Sequence, residues 1–273
     1  MGIILNPAAP QRPRTGLFVL LLLLATMLSG CGRETREDDL GPEILYQDAQ
    51  QALAGRNYER AIQLYRNLTT RYPFGRHAEQ AQLDMAFAMQ RAGQSEAALT
   101  TLDRFIRTYP THPNIDYARF LKGLVHYDEA MGFLRLLFPG QIVDRDQNSA
   151  RRSFNAFQEL IQLHPQSRYV ADARQRMVFL RNVLAEYEVT VGEYYFRRGA
   201  YVAAIGRAEY LIETYPQAPA NVDALELMER SYRRLDLNEL ADDTRLLLES
   251  NYRERLDGDD EGRGFWARLW PFD

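Results

Sequence analysis

The chain has 273 residues, a formal net charge of −4, 46% hydrophobic and 26% charged residues, and one cysteine. The acidic balance argues against a general nucleic-acid binder, and a single cysteine excludes a disulfide framework or a thiolate metal cluster. The length beyond the N-terminal leader suffices for one or two domains.

The chain opens with Arg12 and Arg14, then an apolar stretch from Gly16 to Leu28, then Ser29-Gly30-Cys31. The apolar stretch is about 13 residues, short of the roughly 20 that a spanning helix needs. A basic flank, a short apolar core and small residues before a lone cysteine read as a lipobox. Residues 1–30 are therefore expected to be a lipoprotein signal peptide, and Cys31 the lipidation site, held in the bilayer by its acyl chains. The alternative, a plain transmembrane anchor or uncleaved signal, sits poorly with Arg33 and Glu34. Gly32 stands where an aspartate would mark inner-membrane retention, which points to the periplasmic face of the outer membrane. Residues 31–41 then form the lipidated cysteine and a polar tether.

From Pro42 onward helix formers dominate, interrupted at regular points. Tyr72-Pro73, Tyr109-Pro110, His164-Pro165 and Tyr215-Pro216 each close an amphipathic run. Twelve residues before each proline stands a small residue: Ala61, Ala98, Ser153, Ala204. Eight before it come Tyr65, Leu102, Phe157 and Ala208, and five before it Leu68, Phe105, Leu160 and Leu211. The small residue lets two helices approach closely, the larger ones fill the groove between them, and the proline stops the run. This is a helix–turn–helix unit of about 34 residues, the tetratricopeptide (TPR) pattern. The expected fold is all-α, a TPR solenoid of about five repeats with an insertion in the third. The units run 42–75, 76–112, 113–167, a fourth ending near Pro216, and 219–251.

Coarser boundaries follow. N-terminal units and the start of the third cover 42–131, an insertion loop 132–148, C-terminal units 149–252, and a flexible tail 253–273. The insertion is apolar around Phe133 to Phe138, as a flap on its own groove or a contact site for a partner would be. Pro165 and Pro216 are 51 residues apart, more than the 34 or so of one repeat. No strong breaker lies between Ser167 and Arg198, so 168–198 is one long helix of about 46 Å, or two with a soft break near Asn182.

No chemistry of catalysis emerges. There is no nucleophile elbow and no phosphate-binding glycine loop. His77, His112, His126 and His164 are scattered, and His126 reads as a packed histidine. Glu186 and Glu188 lie two apart on a helix and do not face each other. No catalytic residue, metal or cofactor is expected. The chain reads as a binding scaffold whose inner face is lined by the first helices of its units. Tyr46, Asn57, Gln82, Met85, Met89, Asp116, Tyr117 and Phe120 are the candidates for an N-terminal groove that holds extended peptide; packing inside the stack is the other reading of its Met and aromatic members. Arg197 and Arg198, at the turn with Gly199, are candidates for a partner surface or simply for capping their helix end.

Several stretches are narrower than a TPR pattern. They are Arg71-Tyr72-Pro73-Phe74-Gly75, Leu102-Asp103-Arg104-Phe105-Ile106-Arg107, Pro110-Thr111-His112-Pro113-Asn114-Ile115-Asp116-Tyr117, Asp144-Arg145-Asp146, and the run from Tyr194 to Ala204. With the lipobox, they make the chain resemble the BamD (ComL-type) family of outer-membrane assembly lipoproteins from Pro42 to Tyr252. The resemblance implies a non-enzymatic scaffold of the β-barrel assembly machinery. It implies unfolded outer-membrane clients at the N-terminal repeats. At the C-terminal repeats it implies the barrel-forming subunit BamA through a POTRA domain, with BamC and other Bam lipoproteins as further partners. The tail beyond Tyr252, with Phe265-Trp266-Ala267-Arg268-Leu269-Trp270, departs from that pattern. Rival readings are a TPR lipoprotein of pilus or secretin assembly or of Tol-linked envelope maintenance, and a cell-wall enzyme activator.

Overall fold

The computed structural model describes, besides Gly2, residues 41–136 and 147–256, with side-chain surroundings for 41–132 and 147–252. The signal peptide, Cys31, the tether as far as Leu40, the centre of the insertion and the tail from 257 lie outside the described residues. The described residues form ten helices and no strand: α1 Pro42–Ala54, α2 Tyr58–Arg71, α3 Arg76–Arg91, α4 Ser95–Thr108, α5 Ile115–Leu136, α6 Gln147–Leu163, α7 Val170–Arg197, α8 Tyr201–Thr214, α9 Asn221–Arg234 and α10 Asn238–Leu256. They pack as five successive pairs, and each second helix also packs on the first helix of the next pair. This is a TPR-like solenoid of five repeats.

The units start and stop by shared chemistry. Four of the five first helices close with a middle residue in the left-handed region: Arg56, Gly93, Gly199 and Asp236. In each, the next amide reaches back five residues: Asn57 to Ala52, Gln94 to Met89, Ala200 to Tyr195 and Leu237 to Tyr232, at 2.8–3.0 Å. That is a Schellman closure. Three of the five second helices end on a residue before proline that has left the helical region: Tyr72, Tyr109 and Tyr215 have φ near −125° and ψ of 57–71°. Proline forces its predecessor out of the helical region, so all three stops share one geometry.

The small residues sit where helices meet. Ala61, Ala98, Ser153, Ala204 and Ala241 are fully buried, as are Tyr65, Leu102, Phe157, Leu68, Phe105, Leu160 and Leu211. The first helix supplies a matching notch. A methyl on Gly123 would fall 2.4 Å from the Phe157 ring, and one on Gly192 would fall 2.5 Å from Leu227. One core runs from Leu45 to Val125 and a second from Phe120 to Leu227, and Tyr117 and Leu124 pack on both.

The third pair differs from the others. α5 continues to Leu136 and α6 starts at Gln147, so helix occupies both ends of the expected 132–148 loop, and 137–146 lies outside the described residues. α7 is one unbroken helix through Asn182. Among the described residues no helix is long and apolar enough to cross a membrane.

Candidate functional site

The first helices of successive pairs meet along one seam, α1 with α3, α3 with α5, and α7 with α9. At its N-terminal end the seam is polar. Tyr46 Oη donates to Asp84 Oδ2 at 2.8 Å and accepts from Gln50, and Gln80 Nε2 donates to Asp84 Oδ1 at 2.8 Å. Asn114 Nδ2 donates to Gln80 at 2.9 Å, and Gln90 Nε2 to Asp128 at 2.6 Å. Burial pushes the Asp84 carboxyl up, while its Gln80 and Tyr46 donors pull it back. Burial also raises the Tyr46 and Tyr65 phenols, so both stay neutral.

Between the third and fourth pairs the seam becomes aromatic. Tyr169, just before α7, stacks on Phe120 at 4.8 Å between ring centroids and leans on Tyr117 at 5.5 Å. Arg168 lies over the Tyr169 ring, and Arg176 over Tyr127 at 4.7 Å. Ser167 Oγ donates to Asp116 Oδ2 at 2.7 Å, which pins the start of α5 to the start of α7. Burial pushes the Tyr117 hydroxyl up to about 12.

The structure divides the eight groove candidates. Tyr46, Asp116 and Tyr117 lie partly open along the seam. Met85, Met89 and Phe120 do not line an open surface: they are 4%, 4% and 5% exposed, inside the stack. The first helices are covered on more than one side, so apolar residues on their flanks are taken up by neighbouring helices. Gln82 is likewise buried, with Nε2 3.5 Å from the Tyr109 hydroxyl. Asn57 is away from the seam, at an exposed turn, where Oδ1 accepts from the Arg60 amide at 3.3 Å. It is the N-cap of α2. Missed from sequence were Asp84, Tyr169 and Arg176; the run Ser167-Arg168-Tyr169 falls in a connection, where nothing signals that it faces α5.

Arg197 ends α7 and Arg198 caps it, both exposed. The Arg198 guanidinium lies over the Tyr194 ring at 5.0 Å, and neither arginine forms an ion pair among the described residues. Ten residues back from Arg198 along α7, Glu188 is buried and held by Arg207 at 3.1 Å and Arg151 at 3.5 Å. His126 is buried with Nδ1 3.1 Å from Glu129 Oε2. Among the described residues no group of three or more His, Cys, Asp or Glu could hold a metal ion.

A family model described as outer membrane lipoprotein (YfiO) matches residues 38–247. The chain belongs to the YfiO family of outer membrane lipoproteins. Relatives named outer membrane protein assembly factor BamD are 41% identical over 241 residues in Neisseria meningitidis serogroup B, covering 86% of this chain and 90% of that one. In Xylella fastidiosa Temecula1 the identity is 39% over 248 residues, covering 88% and 85%. In Vibrio cholerae it is 36% over 231 residues, covering 84% and 96%. Membership of the YfiO family makes this a lipid-anchored protein of the outer membrane, facing the periplasm.

Proposed function

We propose that this lipoprotein is a non-enzymatic scaffold of the outer-membrane β-barrel assembly machinery, a reading supported by relatives named outer membrane protein assembly factor. In this reading the N-terminal three pairs receive extended segments of unfolded β-barrel clients. The C-terminal pairs hold the barrel-forming subunit BamA through a POTRA domain, and BamC and other Bam lipoproteins join the same stack. Cys31 carries the lipid.

The observation behind the client site is the aromatic part of the seam. Tyr117 and Tyr169 are partly open, rigidly backed by Phe120, and flanked by Asp116. Rigid aromatics give an extended peptide contact area at low entropic cost, and the adjoining polar groups can take its main-chain bonds. Ordering an unfolded segment opposes binding, so affinity should be micromolar in order of magnitude. A photo-crosslinker at Tyr117 should label a peptide from a β-barrel C-terminus more strongly than one at Arg245, on the last helix. Equal labelling removes the seam as the client site.

A further inference from the structure

α10 is the last helix of the stack among the described residues and packs on α9 through Ala241, Thr244 and Leu248. The terminal helix of a solenoid needs a polar outer side to stay soluble. α10 lacks one on one flank. Leu237, Leu240 and Leu247 are 45%, 46% and 50% exposed. Leu240 and Leu247, seven residues apart, share one stripe of the helix beside Thr244, and Leu237 stands just before its first turn, whereas Leu246, 64% exposed, lies away from the stripe. Glu239 and Asp243 are exposed and in no ion pair among the described residues. At Tyr252 the backbone leaves helical geometry, with φ −134° and ψ 25°.

Beyond α10 the sequence reads Asp257-Gly258-Asp259-Asp260-Glu261-Gly262-Arg263-Gly264, then Phe265-Trp266-Ala267-Arg268-Leu269-Trp270. The first eight are linker-like. The next six place Phe265, Trp266, Leu269 and Trp270 at one-and-four spacing, a single apolar face if helical, with Arg268 at its margin. We propose that the segment Phe265–Trp270 docks on the leucine stripe of α10.

The distances allow it. Leu247 and Leu240 lie about 8 and 18 Å back along the helix from the kink at Tyr252. A linker of eight residues, three of them glycine and four acidic, has a root-mean-square span of at least about 15 Å and a limit of about 28 Å. The charges are complementary: Arg268 is cationic, and Glu239 and Asp243 beside the stripe are acidic. A short linker also supplies a millimolar effective concentration, so even weak apolar contacts dock the segment.

Trp266 and Trp270 are the only tryptophans of the chain, so intrinsic tryptophan emission reports this segment alone. The measurement uses the whole mature chain with Cys31→Ser, free of detergent. Emission to the blue of N-acetyltryptophanamide is expected, with weaker acrylamide quenching, and both independent of protein concentration. Leu240→Glu with Leu247→Glu should shift emission to that of free indole without moving the circular-dichroism melt, since both side chains are exposed. Leu269→Glu, which leaves α10 intact, should do the same, whereas Leu163→Glu on α6 should not. Emission already at the free-indole position overturns the proposal. So does a blue shift that appears only with phospholipid vesicles, which assigns the segment to a bilayer. A shift that grows with protein concentration alongside dimer in light scattering assigns it to a second copy, and equally overturns the proposal.

Discussion

Ser153 Oγ donates a 2.9 Å hydrogen bond to the carbonyl oxygen of Gly123, across the interface of α5 and α6. The bond forms because neither residue keeps the helices apart: one is a glycine and the other a serine with no bulk beyond Oγ. The Phe157 ring then lies over the Gly123 notch. Gly123→Ala should force that ring to move and cost about 1–3 kcal/mol. Phe157→Leu should recover part of the loss. Urea melts of the two single variants and the double variant check this; strictly additive losses would show that the notch and the ring are independent.

Glu188 should show a different kind of coupling. It is 1% exposed, and its two oxygens are divided between Arg151 and Arg207. Either arginine alone can still satisfy most of the charge. Arg151→Met and Arg207→Met should each be mild, while the double variant strands a buried carboxylate and should cost about 3–5 kcal/mol. The check is a double-mutant cycle by urea melt, and a double loss equal to the sum of the singles contradicts the clamp.

Asp84 predicts a pH dependence. Its folded-state carboxyl is raised by burial, so the fold favours the protonated form more than the unfolded chain does. Stability from this group is full below the ordinary carboxylate value of about 4 and declines as pH rises through the raised value. Asp84→Asn should remove that decline. Between pH 4 and pH 7 the urea midpoint of the native chain should therefore fall relative to the variant, and parallel curves would refute the assignment.

Arg198 separates a binding role from a structural one. Its guanidinium rests on exposed Tyr194 and has no carboxylate partner among the described residues. A fork of fixed geometry suits a carboxylate on an incoming domain. Arg198→Ala should weaken POTRA-domain binding by about 2–5 kcal/mol if the pair is buried there. The melt should change little, since a helix-end cation contributes about 0.3–1 kcal/mol. Calorimetry of the soluble domains beside a thermal melt reads both, and an unchanged dissociation constant takes Arg198 out of the interface.

The repeats were legible because their determinants are local. A proline, the residue before it, and positions five, eight and twelve back all lie within one helix and its stop. The turn at Arg56 was only partly so: its left-handed residue is an arginine, where a glycine would have signalled the conformation. The site was harder to read. In α5 the buried Phe120 and the half-open Tyr117 are three residues apart, and both are aromatic. What distinguishes them is Tyr169, about fifty residues away in the chain, which covers one more than the other. Glu188 gave no sign of its burial either, because Arg151 and Arg207 come from α6 and α8.

α7 gives the stack a property that its repeats alone would not. Ordinary solenoids approach a chain of nearest-neighbour units, in which one end can open while the other stays folded. α7 packs on α6 and on α8 and reaches α9, as α3 packs on α2 and α4 and reaches α5, but it does so over a greater length. Its 28 residues are twice the 14 of α8. A break anywhere in its middle would expose Leu180 and Leu184 together with the residues they cover in both neighbouring pairs. The third and fourth repeats should therefore exchange their amide hydrogens as one protected block, while the first pair and the last open on their own.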